Sequence, residues 1–339
     1  MSTLLLVPLL VLLFMTQQIR SARINKTPKS VAKRVVIDKA KIKSYSLLSS
    51  KEITEELKIL QEKYPYLASL STSQRSYNLP TAGTDTDCTF DNDTTGCYNY
   101  FLTIEDTIKH PKGSDSYRAL PEVFLSGALH GNERVGPTAV VETAKLLLEA
   151  ASCEALPSVI NTQDIDINTE KGATWLFEVE QAQNCRSDLL SKGISDHERK
   201  WLARLASTRR IVILPTANAV GYDRNDRTEM GIDPNRDFPF DVVKERECMQ
   251  TIAGRTINEI FRDHMFQLSL TFHGGMEVVS YEWGAPTYDH KLSPDHFAQA
   301  EIGDGYARFA GDFDGTKQYE SGTMNALVYP VRGGMVCRK

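Results

Sequence analysis

Residues 121–136 read Pro-Glu-Val-Phe-Leu-Ser-Gly-Ala-Leu-His-Gly-Asn-Glu-Arg-Val-Gly, an apolar run that passes directly into a polar turn. The run Val123–Leu125, extended by Ala128 and Leu129, predicts a short buried strand. The turn leads into an apolar, helix-favouring segment from about Thr138 to Glu149. A strand followed by a helix is the repeating unit of α/β proteins with a parallel sheet.

Two later segments have the same design. Ile211–Leu214 is an apolar, β-branched run followed by a loop rich in Pro, Asn and Gly. A helix predicted from about Met249 to His264 precedes a third apolar run, Phe266–Phe272, which ends in His-Gly-Gly. Strands that alternate with helices favour an α/β fold with a mainly parallel sheet. Ligand sites of such sheets lie beyond the carboxyl ends of the strands, where all three polar clusters fall.

Other segments surround this pattern. Helical spacing of apolar residues begins near Ser50 and ends before Pro65, and Tyr98–Ile104 is consistent with a strand. Residues 79–97 are polar and rich in turn-forming residues, which predicts a hairpin region. We interpret residues 152–208 as a surface insertion with a helix at about 196–206.

The start of the chain predicts a targeting segment. Leu4–Met15 is apolar throughout apart from Pro8, and it is too short to cross about 30 Å of hydrocarbon. It suits a secretory signal peptide over residues 1–21, followed by a basic leader or pro-segment over residues 22–44. The alternative is an uncleaved membrane anchor. The main globular domain is predicted over residues 45–339, in a secreted or secretory-pathway protein without a stable membrane span.

Composition supports a globular protein and excludes some classes. The 339 residues are 41% hydrophobic and 24% charged, which excludes a collagen-like, disordered or polytopic membrane chain. The 39 basic and 44 acidic side chains give a net charge of −5, so there is no basic footprint for nucleic acid.

Cysteines and glycosylation motifs agree with secretion. Sequons at Asn25 and Asn92 predict a glycoprotein. Six cysteines are present, at positions 88, 97, 153, 185, 248 and 337. Cys88 with Cys97, and Cys153 with Cys185, are reasonable disulfide pairs, although six cysteines allow 15 full connectivities.

The strand ends carry a candidate metal site. Zn²⁺ binds imidazole nitrogen and carboxylate oxygen, and catalytic sites use three protein ligands with one position left open. His130 and Glu133 are three residues apart on the turn after one strand, and His273 follows another strand. A lone His-x-x-Glu motif is common by chance, but its position at a strand end, with a second histidine at another strand end, favours a metal site.

A second cluster carries positive charge. Asn235 and Arg236 lie in Asp-Pro-Asn-Arg-Asp-Phe-Pro (233–239), and a guanidinium beside an amide suits a carboxylate ligand. Arg224 and Arg227, upstream, can stabilise a developing oxyanion. The alternative is a solvated turn with ordinary ion pairs.

These motifs together resemble a known family. The stretches 121–136, 233–239 and Thr-Phe-His-Gly-Gly (271–275) are similar, in order and separation, to those of the zinc metallocarboxypeptidases (carboxypeptidase A-like peptidases). The resemblance extends from about Tyr45 to Met335.

The resemblance implies roles for individual residues. It makes His130, Glu133 and His273 the zinc ligands, as in carboxypeptidase A, which has a His₂Glu zinc site. It makes Asn235 and Arg236 the clamp on the terminal carboxylate of a peptide or protein substrate.

The resemblance also implies a fold and a reaction. The oxyanion arginine corresponds to Arg224 or to Arg227, and the sequence leaves both open. The implied fold is an eight-stranded mixed sheet between helices, in a monomer. The implied reaction is zinc-dependent hydrolysis of the C-terminal residue of a peptide, which needs a general base.

The chain departs from the family pattern after Gly333-Gly334. The resemblance implies a helix with a substrate-capping tyrosine there and then a last strand with the catalytic glutamate. Residues 336–339 do not match that pattern. We therefore expect this chain to lack the last helix, the last strand and the base.

Three hypotheses follow from these observations. The first is a secreted zinc carboxypeptidase represented by an incomplete chain. The second is a zinc amidohydrolase that acts on small acyl-amino acids. The third is a non-catalytic relative that binds peptide C-termini.

Overall fold

The computed structural model describes residues 46–91, 95–155, 170–240, 248–310 and 318–335. The predicted signal peptide and leader, both sequons and Cys337 lie outside these residues. The described helices are α1 (Ser50–Lys63), α2 (Ser73–Tyr77), α3 (Asp115–Arg118), α4 (Val135–Ala155), α5 (Glu170–Ser191), α6 (Asp196–Thr208), α7 (Ala219–Arg224), α8 (Ile252–Asp263), α9 (His296–Ala310) and α10 (Met324–Leu327). The strands are β1 (Ala68–Thr72), β2 (Tyr100–Ile104), β3 (Glu122–Ser126), β4 (Arg210–Leu214), β5 (Phe266–Thr271), β6 (Val278–Tyr281) and β7 (Glu320–Thr323).

The main sheet has five strands in the order β1-β2-β4-β3-β5. β3 pairs in parallel with β4 on one side and with β5 on the other, while β2 is antiparallel to β1 and β4. β6 and β7 form a separate parallel pair. The predicted class, a mixed and mainly parallel sheet, is therefore confirmed.

The number of strands differs from the eight that the resemblance implied. In the described part of the chain, five strands form one sheet and two form another, and no described strand joins β5 to β6. The outer edge of β5 consequently has no described partner. β1, which sequence reasoning did not predict, is the opposite edge of the main sheet.

Helices cover both faces of the main sheet. Val123, Leu125, Ile211 and Ile213 face a core with α1, α4 and α6, whereas the alternate residues of the same strands, such as Phe124, face a core with α8. Successive side chains of a strand point to opposite faces, so strands that are apolar throughout need an apolar layer on each side. The predicted arrangement of a sheet between helices is confirmed.

Several predicted elements are present with longer or shorter bounds. The first helix begins at Ser50 with a capping box between Ser49 and Glu52. α4 is longer than its predicted range and begins at Val135, directly after the polar turn. α8 begins at Ile252, three residues later than predicted.

The predicted surface insertion over residues 152–208 needs correction. Its beginning is the last turn of α4, and its end is α6, which begins at the predicted Asp196. Leu202, Leu205 and Ala206 of α6 are buried in the main core. The apolar spacing on α6 makes this end of the segment part of the domain core, because one helical face must be removed from water.

Both predicted disulfides are present. Cys88–Cys97 closes the turn-rich segment, with 5.2 Å between the Cα atoms. Cys153–Cys185 joins α4 to α5, with 5.9 Å between the Cα atoms. Two disulfides are compatible with a secretory compartment. Among the described helices, none combines the length and the apolar character that spanning a membrane requires.

A buried ion network lies at the amino ends of the parallel strands. Arg210 of β4 donates hydrogen bonds to Glu105 (2.9 Å) and to Glu122 of β3. Side-chain exposure is 11% for Arg210, 4% for Glu105 and 9% for Glu122. Burial alone would raise the pKa of Glu122, but hydrogen bonds from the backbone N–H of Met265 and from Arg210 lower it. Loss of Arg210 would remove the guanidinium that joins these two buried carboxylates.

We predict that Arg210→Met lowers the free energy of unfolding by about 3–5 kcal/mol, the usual cost of breaking a buried ion pair from one side. Arg262→Met is the matched control, because Arg262 pairs with Glu259 on an exposed helix surface. The control should cost less than about 1 kcal/mol. Urea denaturation measures both, and equal losses would contradict the prediction.

Candidate metal centre

The His130–Glu133 turn is formed where β3 ends and α4 begins. The backbone N–H of Glu133 donates to the carbonyl of His130 (3.1 Å), which puts both side chains on one side of the turn. Gly131 packs directly on the backbone of α7, and a Cβ at this position would lie 2.0 Å from the carbonyl carbon of Gly221. A side chain at 131 would push the turn away from α7, so this position requires glycine.

The parallel pairing of β3 with β5 brings His273 to the same place. Ser126, the last residue of β3, is in register with Thr271, the last residue of β5, and their hydroxyl groups are 2.9 Å apart. The backbone N–H of Phe272 donates to the carbonyl of Ser126 (2.9 Å). His273 follows directly, so two turns far apart in sequence meet at one edge of the sheet.

The three predicted ligands form one compact group. Nδ1 of His130 lies 2.8 Å from Oε1 of Glu133, and Nδ1 of His273 lies 2.8 Å from Oε2 of the same carboxylate. The candidate ligand atoms all lie within 4.8 Å of one another. Two imidazole nitrogens and one carboxylate are the donor set of a catalytic zinc site, so these residues fit a zinc ion.

The carboxylate of this group is ionised. Burial alone would raise the pKa of Glu133, but hydrogen bonds from His130 and His273 lower it to about 2. A charged carboxylate is the form that ligates a metal.

Asp233 orients the first histidine. Its Oδ1 lies 3.0 Å from Nε2 of His130 and also accepts a hydrogen bond from the backbone N–H of Asn235 (2.9 Å). A carboxylate on the second ring nitrogen fixes the tautomer and leaves Nδ1 available for a metal. Sequence reasoning assigned no role to Asp233. The sequence feature that could have indicated this role is its position as the first residue of the Asp-Pro-Asn-Arg motif.

The structure separates the two candidate oxyanion arginines. Arg227 lies beside the metal group, with Nε 3.1 Å from Oδ2 of Asp233 and Nη1 3.6 Å from Oε1 of Glu133. Arg224 instead forms a two-pronged pair with Asp87, with both N–O distances 2.7 Å.

The residues predicted to clamp a carboxylate adjoin this group. Asn235 is buried in a single turn of 3₁₀ helix (Pro234–Arg236), and its Oδ1 accepts a hydrogen bond from the backbone N–H of Met335 (2.9 Å). Arg236 is exposed and donates to the carbonyl of Asn235 (2.7 Å). The guanidinium carbon of Arg236 lies 6.0 Å from the ring centre of Tyr329.

Sequence reasoning assigned no role to Tyr329. This residue precedes Gly333 and is 51% exposed. Its position beside Arg236 depends on how the chain around Gly333 packs. The backbone N–H of Phe238 donates to the carbonyl of Gly333 (2.9 Å), and a Cβ at Gly333 would lie 2.2 Å from the carbonyl oxygen of Arg236.

A second group of metal-type donors can be set aside. Cys88, Cys97 and Asp223 lie close together, but the two cysteines are joined in a disulfide and offer no thiolate.

Comparison with known proteins shows what the chain is similar to. Residues 180–336 match the family model for zinc carboxypeptidases. Carboxypeptidase A from Helicoverpa armigera superimposes with a TM-score of 0.53 at 17% identity, covering 86% of this chain and 60% of that protein. Bovine thrombin-activatable fibrinolysis inhibitor, solved in complex with tick carboxypeptidase inhibitor, gives a TM-score of 0.49 at 13% identity, with 86% and 80% covered. No curated protein sequence matches the chain significantly.

The fold and the family match agree with each other. The described residues have a carboxypeptidase-like fold, and the predicted resemblance to the zinc metallocarboxypeptidase family is confirmed by the family match. That match includes His273, Asn235 and Arg236 but begins after His130 and Glu133. It is the tertiary structure that joins those two residues to the matched segment. The chain spans about three fifths of the length of the Helicoverpa armigera protein.

We predict that Asp233→Asn lowers zinc affinity about 10- to 100-fold, because the neutral amide polarises and orients His130 less well. His273→Ala, which removes a ligand, should abolish measurable binding. Competition with a chromophoric chelator gives the dissociation constants.

Asp226→Asn is the matched control for this measurement. Asp226 is an exposed acid of the same loop whose carboxylate accepts hydrogen bonds from Thr228. Equal affinities for Asp233→Asn and Asp226→Asn would contradict the orienting role of Asp233.

We predict a pH-dependent stability loss for Arg224→Ala. The hydrogen bonds from Arg224, and to a lesser extent those from Thr84, lower the pKa of Asp87 to about 2. A carboxyl whose folded pKa is lowered stabilises the fold above its unfolded pKa, and that stability is lost as pH falls through the folded pKa. The stability difference between wild type and Arg224→Ala should therefore shrink from about pH 4 toward pH 2. Urea midpoints across this range measure it, and a pH-independent difference would contradict it.

Proposed function

We propose that the protein is a zinc-dependent metallocarboxypeptidase that acts on peptides or proteins with a free C-terminus. The observation that carries this proposal is the joint position of two features. The two imidazole Nδ1 atoms and the carboxylate of Glu133 form one donor group, and the loop with Asn235 and Arg236 adjoins it through Asp233. A metal group beside a cationic clamp suits hydrolysis of the bond next to a terminal carboxylate.

The clamp residues would bind and orient the substrate. Arg236 is exposed at the loop surface, and its guanidinium can pair in a bidentate manner with a carboxylate. Asn235 adds an amide donor, and its side chain is held in place by the contact with Met335. Tyr329 borders Arg236 and can cover the bound terminus. Such a clamp places the last peptide bond at a defined distance from the metal group.

Arg227 is the favoured oxyanion residue. Its guanidinium already lies within hydrogen-bonding range of Asp233 and 3.6 Å from Glu133, at the edge of the donor group. A cation in that position can stabilise the negative charge that develops on the scissile carbonyl oxygen. Arg224 is engaged by Asp87 and is assigned a structural role.

The metal and the base complete the proposed chemistry. Zinc, when bound by His130, Glu133 and His273, would supply Lewis-acid activation of water and of the scissile carbonyl. With zinc bound, Asp233 would accept the proton on Nε2 of His130, and Nδ1 would present its lone pair to the metal. Hydrolysis also needs a general base. Binding of a peptide and its turnover are therefore two separate measurements.

We further propose that the protein enters the secretory pathway and works as a monomer. The two disulfides support an oxidising compartment. The apolar run Leu4–Met15 and the sequons, which lie outside the described residues, have the character expected of a secreted glycoprotein.

We predict that the zinc-loaded protein binds an N-acylated dipeptide with a free carboxylate more tightly than its C-terminal amide. Arg236→Ala should weaken binding of the free acid about 10- to 100-fold and leave binding of the amide unchanged, because only the acid pairs with the guanidinium. Calorimetric titration measures affinity, and chromatography of the products measures turnover.

The matched control is Arg262→Ala at the far end of α8, where Arg262 is exposed and pairs with Glu259. Equal affinity for acid and amide would contradict the carboxylate clamp, and cleavage of both would favour the amidohydrolase hypothesis. Preference for the acid without release of product would favour the non-catalytic binding hypothesis.

A further inference from the structure

The loop that carries the clamp has little regular structure of its own. Residues 225–238 contain Arg227, Asp233, Asn235 and Arg236, but the only helical element between α7 and α8 in the described residues is the single turn Pro234–Arg236. One turn closed by few hydrogen bonds does not hold a side chain at a fixed position. The position of the clamp must therefore come from contacts with neighbouring elements.

Glu229 makes the first of these contacts. The residue is 4% exposed, and its two carboxylate oxygens accept hydrogen bonds from the backbone N–H groups of Ile252 and Ala253 (2.9 Å for Ala253). These N–H groups belong to the first turn of α8, where they have no partner within the helix. The partial positive charge of the helix start also favours a carboxylate there.

Asp237, on the other side of the clamp, makes the second contact. It is 2% exposed, and its carboxylate accepts hydrogen bonds from the backbone N–H groups of Gln250 (3.0 Å) and Thr251 (2.8 Å). The hydroxyl of Thr251 donates to the same carboxylate (2.7 Å). Two buried carboxylates, eight positions apart, thus form hydrogen bonds with the start of α8. One lies before Asn235 and Arg236 in the chain and the other lies after them.

A tight turn connects Glu229 to Asp233 at the metal site. The backbone N–H of Glu229 donates to the carbonyl of Ile232 (2.8 Å), and the N–H of Ile232 donates back to the carbonyl of Glu229 (3.0 Å). Met230 and Gly231 between them have φ angles of 51° and 87°, as a two-residue turn of this kind requires. Asp233 follows at once, so Glu229, the turn and the His130 contact form one continuous chain of bonds.

We propose that Glu229 and Asp237 are positioning residues that hold the carboxylate clamp in place through the start of α8. This inference deepens the proposed function and rests on it, since the clamp is the feature being positioned. Neither residue contacts the substrate in this scheme. Their effect on binding comes from the placement of Asn235 and Arg236.

The test compares three variants of the full, zinc-loaded chain. Glu229→Ala removes both hydrogen bonds to α8, whereas Glu229→Gln keeps one acceptor oxygen and provides a milder change. Ser195→Ala is the matched control, because Ser195 caps α6 away from the loop and its loss has a comparable effect on a helix start. Two readouts are used. Hydrogen–deuterium exchange reports on the 229–238 loop, and calorimetry reports on an N-acylated dipeptide acid and its amide.

We expect Glu229→Ala to speed exchange in the loop and to reduce the preference for the acid over the amide about 10- to 100-fold, the cost of a small misplacement in a binding site. Zinc stoichiometry should stay the same. The loop exchange rate and the acid preference of Glu229→Gln should lie between those of wild type and Glu229→Ala. If the alanine variant does not fold, Glu229→Gln is the variant used for the test. Ser195→Ala should change neither readout.

Two results separate failure of this inference from failure of the proposed function. Unchanged loop exchange in both Glu229 variants, or an unchanged acid preference despite faster exchange, would overturn the positioning role. If the wild-type protein itself shows no preference for the acid, the proposed function fails. Loop exchange in the variants then decides alone whether Glu229 anchors the segment.

Discussion

The parallel pairing of β3 with β5 is the contact on which the metal centre depends. Each strand ends in a turn that carries a candidate ligand. The register of Ser126 with Thr271 places both turns side by side at the same edge of the sheet. A shift of the pairing by one residue would turn every side chain of β5 to the other face, and His273 would no longer meet Glu133. The side chains of β5 oppose such a shift, because Leu268 and Leu270 pack against the core whereas Gln267 and Ser269 are exposed, and the shift would exchange the two sets.

Around this pairing, the carboxylates of the metal group and of the opposite strand ends have ionic partners. Glu133 is held by two histidines, Asp233 by His130 and Arg227, and the pair Glu105 and Glu122 by Arg210 at the opposite end of the strands. Since an unpaired carboxylate inside the protein is costly, each of these groups constrains its neighbours. The site is thereby connected to the fold through polar contacts as well as through packing. The start of α8 extends this principle to the loop with the clamp.

Sequence reasoning recovered most of this arrangement from local patterns. Apolar runs of three to seven residues marked β3, β4 and β5, and helical spacing marked α1, α4, α6 and α8, because burial of one face leaves a periodic signal. It did not find β1, whose residues are mostly small and polar, and it misread α6, the end of the segment 152–208, as external. The buried face of α6 has only a few apolar residues in a charged background. The pattern alone does not tell which neighbour they cover.

For the site, the sequence by itself determined the chemistry of the donors: a His-x-x-Glu turn, a later His-Gly-Gly and an Asn-Arg pair in a polar loop. Two disulfide pairs could also be chosen from spacing. Only the tertiary structure decided that Arg227 and not Arg224 lies at the donor group, that Asp233 orients His130, and that Tyr329 borders Arg236. These choices depend on contacts between residues far apart in the chain, and a one-dimensional pattern does not record which distant groups a packed core brings within a few ångströms.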